Sequence, residues 1–129
     1  MTTESRGRAM IVDDSRAMRM ILRRTLTELG YCASEASNGE EALGLLAQDA
    51  GRPSLMLIDW NMPVMGGLDL VKAVRADTRY ADIVLVMVTT ETEIDHISQA
   101  LEAGANEYVM KPFTKELVED KLRSMNLIR

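Results

Sequence analysis

Five short runs of apolar and β-branched residues alternate along this chain with stretches of helical spacing. Parallel strands cannot be joined by tight turns; each return needs a crossover of roughly a dozen residues, usually a helix. The alternation therefore predicts one parallel sheet with helices packed on both faces, joined by right-handed crossovers. The runs are Ala9-Met10-Ile11-Val12, a weaker one at 31–36, Ser54-Leu55-Met56-Leu57-Ile58, 83–88 and 106–110. The third and fourth are almost wholly apolar, as expected for strands covered on both faces. Ser15 is a good N-cap for a first helix with apolar positions Met18, Ile21, Leu22, Leu26 and Leu29, ended by Gly30. Asn38 and Glu41 form a capping-box-like start to a second helix carrying Ala42, Leu43 and Leu46, with Gly44 costing it some stability. Further helices are predicted over 68–76, over 93–103 up to Gly104, and over 114–127, the last with Leu117, Val118, Leu122 and Met125 inward.

Length and charge narrow the function. The chain has 129 residues, room for one compact domain; residues 1–7 are expected to form a flexible N-terminus and 8–129 the domain. Fifteen Lys and Arg against twenty Asp and Glu leave a net charge of −5, which argues against nucleic-acid binding. No apolar run approaches the roughly 18 residues that membrane insertion needs, and residues 1–8 lack the apolar stretch of a signal peptide. A single cysteine, Cys32, can form no internal disulfide and is expected in the core. A cytoplasmic monomer is expected. Ten methionines against one Phe and one Trp point to a Met-rich core.

In open parallel sheets, ligands bind outside the carboxyl ends of the strands, so the residues that follow the strands should carry the chemistry. Here they are Asp13-Asp14, Asp59, Thr89-Thr90 and Lys111-Pro112. Any one of them alone could be a helix cap or a turn residue; together they gather three carboxylates, a hydroxyl and an ammonium on one sheet edge. Close carboxylates repel and raise one another's pKa unless cations hold them. Lys111 supplies one positive charge and a divalent metal is the natural remainder. Oxygen ligands suit Mg²⁺, with Mn²⁺ or Ca²⁺ as substitutes; without a Cys/His cluster nothing favours zinc. A carboxylate beside such a metal and a lysine can act as a nucleophile towards phosphorus, since phosphoryl transfer asks mainly for neutralised charge and alignment. Asp59, ionised at neutral pH, needs no general base.

These residues resemble the response-regulator receiver domain, the CheY-like family, over nearly the whole chain from about Arg8 to Leu127. The carriers are Ile11-Val12-Asp13-Asp14-Ser15, the stretch from Leu57-Ile58-Asp59-Trp60-Asn61-Met62-Pro63 to Gly66-Gly67, Val88-Thr89-Thr90, and Tyr108-Val109-Met110-Lys111-Pro112-Phe113. The resemblance implies an α/β, flavodoxin-like fold with strand order 2-1-3-4-5 and five helices. It implies that Asp59 accepts a phosphoryl group from a sensor histidine kinase. Asp13, Asp14, Asp59 and the backbone carbonyl of Asn61 would hold Mg²⁺, Asp13 directly or through water. Thr89, the Thr90 backbone and Lys111 would contact the phosphoryl group, the Lys111-Pro112 bond would be cis, and Tyr108 would be the switch aromatic. Asn61 and Glu91, two residues past the acceptor and the switch threonine, would tune dephosphorylation; polar residues there imply a short-lived phosphoryl group. Such a chain is not a classical enzyme and catalyses only its own phosphorylation and dephosphorylation.

No DNA-binding or enzymatic segment is evident, so output is expected through protein contact at the face of the fourth helix, fifth strand and fifth helix, with a phosphatase as a further partner. From Thr89 to Met110 there is no Lys or Arg, whereas Glu91, Glu93, Asp95, Glu102 and Glu107 are acidic; chemotaxis regulators that bind the flagellar switch commonly carry lysine near here. The segment reads either as a solvated acidic helix or as a surface for a basic partner. The leading expectation is a chemotaxis-like regulator. Alternatives are a phosphorelay intermediate and an aspartyl-phosphate phosphatase, which usually needs an Asp where this chain has Asn61. His96 is expected to be exposed and remote from the site, and Trp60 to pack at the loop surface.

Overall fold

The computed structural model describes residues 7–48, 52–90 and 95–128. Residues 1–6, Glu91 and Glu93 among the positions singled out above lie outside the described residues. Five strands, β1 (Gly7–Val12), β2 (Tyr31–Ala36), β3 (Leu55–Asp59), β4 (Val84–Thr90) and β5 (Glu107–Lys111), form one parallel sheet in the order β2-β1-β3-β4-β5. Five helices connect or follow them: α1 (Arg16–Glu28), α2 (Gly39–Ala47), α3 (Gly67–Ala76), α4 (Ile97–Ala103) and α5 (Lys115–Ser124). The fold class is the one expected from the sequence, and the strand order is the one the family resemblance implies.

Strand periodicity divides the core in two. Met10, Val12, Met56, Ile58, Leu85 and Met87 face one side and pack with Leu46, Leu70, Val71 and Val74 of α2 and α3. Ile11, Leu55, Leu57, Val86 and Val88 face the other and pack with Leu22, Leu26, Val118 and Leu122 of α1 and α5. Three of the methionines, Met10, Met56 and Met87, are core residues, whereas Met20 on α1 is exposed.

Local signals set the helix ends. The Ser15 hydroxyl accepts from the Met18 N–H and the Thr114 hydroxyl from the Leu117 N–H. Gly30 closes α1 with φ +98°, a left-handed conformation cheap only for glycine. At α2 the Asn38 carboxamide accepts from the Glu41 N–H, but the Glu41 carboxylate reaches back to the Ser37 N–H, one residue earlier than the expected box. The strands also run further than their apolar runs suggest. β1 begins at Gly7 and β4 continues to Thr90, because ladder pairing to β2 and β5 holds their polar ends. A 3₁₀ turn at Thr78–Tyr80 precedes β4. Helix α4 spans Ile97–Ala103, and the expected start at 93 lies outside the described residues.

Cys32 is exposed, not in the core. β2 is an edge strand: Tyr31 and Ala33 are buried on the α1 side, and on the other face only Ala36, at the strand's end, is buried. Cys32 points to the α2 side, and with α2 ending at Ala47 it lines a shallow cavity with Arg8, Met10 and Leu45.

Candidate functional site

The carboxyl ends of β1, β3, β4 and β5 meet at one edge of the sheet. In register, Asp59 stands opposite Val88 of β4, and Thr89 and Thr90 stand opposite Met110 and Lys111 of β5. Lys111 bridges the edge: its ammonium donates to Asp59 Oδ1 at 3.1 Å and to Asp13 Oδ2 at 3.4 Å. The Lys111–Pro112 peptide bond is cis. Carboxylate oxygens of Asp13, Asp14 and Asp59 lie within 4.8 Å of one another. Asp13, Asp59 and Thr89 are buried, with 1, 7 and 1% exposure, while Asp14 faces solvent.

The main chain fixes these side chains. The Asp13 N–H donates to the Ala36 carbonyl at 3.0 Å, and Asp13 Oδ1 accepts from the Ser15 N–H at 2.8 Å. After Asp59 the chain leaves β3 through a loop closed by a bond from the Gly67 N–H to the Trp60 carbonyl at 2.9 Å. A Cβ on Gly67 would collide with the Asp59 carbonyl oxygen, so only glycine lets α3 start against the strand end. A second bond, from the Gly39 N–H to the Met65 carbonyl, ties this loop to α2. Within it Val64 holds φ +68° and is exposed, an unfavourable conformation for a β-branched residue. Asn61, on the same loop, exposes its side chain.

Electrostatics follow from this packing. Burial, and then the Asp13 charge, push the Asp59 carboxyl up to about 6 against the opposing pull of Lys111. Burial pulls the Lys111 ammonium down, but the charges of Asp59 and Asp13 outweigh it and hold it above its ordinary value. Three carboxylates against one ammonium leave unbalanced negative charge. That excess and an all-oxygen donor set fit a hard divalent cation such as Mg²⁺.

Other expected positions fall as follows. The Thr89 hydroxyl donates to the Thr90 carbonyl at 3.4 Å. Tyr108 is half-buried on β5, with Lys121 Nζ of α5 lying 4.6 Å from its ring centroid. Lys121 also pairs with Glu107 at 3.3 Å, so the α4–β5–α5 face gains from α5 a lysine that the 89–110 segment lacks. Glu91 lies outside the described residues.

His96 is neither exposed nor remote from the site. It is half-buried and stacks on Trp60, with ring centroids 4.8 Å apart and planes 5° from parallel, and its buried Nδ1 has no hydrogen-bond partner. Trp60 is likewise half-buried, packed against His96 beside the loop that follows β3. Trp60 and His96 are far apart in sequence, and neither shows a periodicity that predicts their meeting. Arg19 was given no role at the site by the sequence, though its guanidinium donates to the Asp13 carbonyl at 2.7 Å; nothing in the spacing of α1 predicts that contact.

A sheet of this order with buried carboxylates and a lysine at its carboxyl edge defines a receiver-type switch domain. Residues 9–123 match the response regulator receiver domain model, and the chain belongs to that family. Within it the chain is CheY-like. It is 46% identical over 114 residues to chemotaxis protein CheY1 of Helicobacter pylori, covering 88% of this chain and 91% of that protein. It is 42% identical to chemotaxis protein CheY of Pseudomonas aeruginosa, covering 90% and 93%. The structure of chemotaxis response regulator CheY4 of Vibrio cholerae superposes with a TM-score of 0.82 at 36% identity, covering 92% of this chain and 97% of that one. No helix among the described residues is long and apolar enough to cross a membrane.

Proposed function

We propose that this chain is a phosphorylation switch, with residues 8–129 as its receiver domain and Asp59 as the acceptor of a phosphoryl group from a sensor histidine kinase. The observation that carries this reading is the reach of Lys111 to both Asp59 and Asp13 at a buried strand edge. Asp13, Asp14 and Asp59, with the Asn61 carbonyl, would hold Mg²⁺, for which Mn²⁺ or Ca²⁺ can substitute. When bound, the metal supplies charge neutralisation for the phosphoryl oxygens. An oxygen of Asp59 forms the new bond to phosphorus as the bond to the donor breaks. The Lys111 ammonium stabilises charge on the transferred group, and the Thr89 hydroxyl and Thr90 N–H donate to the product. Drawing Thr89 towards the phosphoryl group vacates space that Tyr108 fills. Asn61 and Glu91 orient water and keep the phosphoryl group short-lived.

Output is chemotaxis-like, by a cytoplasmic protein that acts through contact at the α4–β5–α5 face and is switched off by its own hydrolysis or by a phosphatase. A phosphorelay role would require the phosphoryl group to persist and pass to a histidine on another protein. The test of the acceptor is intact mass after incubation with acetyl phosphate and Mg²⁺. One added phosphoryl group, lost with chelator and in Asp59→Asn, is expected; labelling that survives in Asp59→Asn would sink the assignment.

A further inference from the structure

From the contacts around the β1–α1 turn we infer that Arg19 is a positioning residue for the divalent-cation site, anchored by Glu35. This rests on the metal-dependent acceptor reading above. The turn carries two adjacent carboxylates, Asp13 and Asp14, which repel each other and the Asp59 carboxylate. Something must fix its backbone so that their oxygens stay convergent.

Arg19, on the first turns of α1, does this from the protein side. Its Nη1 donates to the Asp13 carbonyl at 2.7 Å, while its Nε donates to Glu35 Oε1 at 3.0 Å. The two bonds use the fork of a guanidinium, a geometry that an ammonium cannot reproduce. Glu35 lies at the end of β2, opposite Ile11 of β1, and its other oxygen accepts from Arg23 Nη1 at 2.6 Å. Arg23, together with Arg19, holds the Glu35 carboxyl below its ordinary range. Arg19 is only 17% exposed at its side chain, so both bonds are partly shielded from water. Asp13 is thus held at every polar group: N–H by Ala36, carbonyl by Arg19, one carboxylate oxygen by Ser15 and the other by Lys111. Of these four, the Arg19 bond is the only one in which a side chain from outside the turn restrains the turn's backbone.

Two effects of Arg19 on a cation are opposite in sign, which makes the inference testable. As a nearby positive charge, Arg19 would repel the metal, and its removal would tighten binding. As a positioner it preorganises the carboxylates, and its removal weakens binding, by about 10-fold if it behaves as outer-shell partners of metal ligands commonly do. Because the Arg19 charge is already paired with Glu35, the positioning effect should win.

The experiment titrates Mg²⁺ into the full chain by calorimetry, with Trp60 fluorescence as a second readout. Arg19→Ala and Glu35→Ala should each raise the Mg²⁺ Kd about 10-fold, the double variant no further, and Arg19→Lys by less. With acetyl phosphate, the half-saturating Mg²⁺ concentration should rise while the rate at saturating Mg²⁺ is retained. An unchanged or tighter Kd in Arg19→Ala overturns the inference and leaves the acceptor reading standing. A wild-type chain that binds no Mg²⁺ overturns both. If Arg19→Ala fails to fold, Arg19→Gln, which keeps much of the side chain's length but removes both the charge and the fork, should weaken Mg²⁺ in the same direction; an equal or tighter Kd there overturns the inference.

Discussion

Replacing Asp59 by Asn should make the metal-free protein more stable, although it removes the proposed acceptor. The carboxyl is 7% exposed, and its pKa rises from 3.8 to about 6 because burial and Asp13 disfavour its charge. A group whose folded pKa lies above its unfolded value destabilises the fold once ionised. The cost is absent below the unfolded pKa, grows as pH rises between about 4 and 6, and is complete above the folded pKa. A shift of roughly two units at 1.36 kcal/mol each amounts to about 3 kcal/mol. Asparagine resembles the neutral carboxyl in size and shape, so Asp59→Asn should gain about that much at pH 8 and less than about 1 kcal/mol at pH 4. Urea denaturation with chelator present, for both proteins at both pH values, reads the difference directly. Saturating Mg²⁺ should narrow the gap at pH 8, because the metal stabilises only the form that binds it. An Asp59→Asn protein that is no more stable at pH 8, or a gap independent of pH, would refute the reasoning.

Three further outcomes follow from particular contacts. Lys111→Met should slow phosphorylation by acetyl phosphate about 100-fold, as removal of one transition-state donor commonly does, while calorimetry finds Mg²⁺ bound at least as tightly, because a competing charge has gone. Val64→Asn should stabilise the protein by about 1 kcal/mol in denaturant melts, since Val64 holds φ +68° while exposed and asparagine tolerates that conformation. Arg75→Ala should cost about 2–3 kcal/mol in the same melts: its guanidinium serves the Gly104 and Ile83 carbonyls and the Asn106 side chain, and its loss leaves them without that donor.

The fold was legible because its signals are local and repeated. Apolar runs such as 54–58 bound the strands, Ser15, Asn38 and Thr114 mark helix starts, and glycines at 30 and 104 mark ends. The polar residues that bring Asp13, Asp14, Asp59, Thr89 and Lys111 to one edge were legible for the same reason: a parallel sheet aligns whatever follows its strands. Contacts between distant segments were not legible. The Trp60–His96 stack joins a loop to the start of α4, and the Arg19 fork joins a helix, a turn and an edge strand. Cys32 sits in a strand as expected, but that strand is the edge of the sheet, and periodicity within one strand does not encode its place in the sheet. Lys121 reaches Glu107 and Tyr108 from another element, a contact that the charge of the 89–110 segment does not encode.

The central claim, that Asp59 is the atom-level acceptor, is tested most directly by trapping. The protein is incubated with acetyl phosphate and Mg²⁺, the acyl phosphate is reduced with borohydride to homoserine, and peptides are mapped by mass spectrometry. Homoserine at position 59, dependent on both donor and metal, is the predicted result. Homoserine at Asp13 or Asp14, or an unmodified Asp59 peptide under conditions where the intact protein gains a phosphoryl group, would contradict the account.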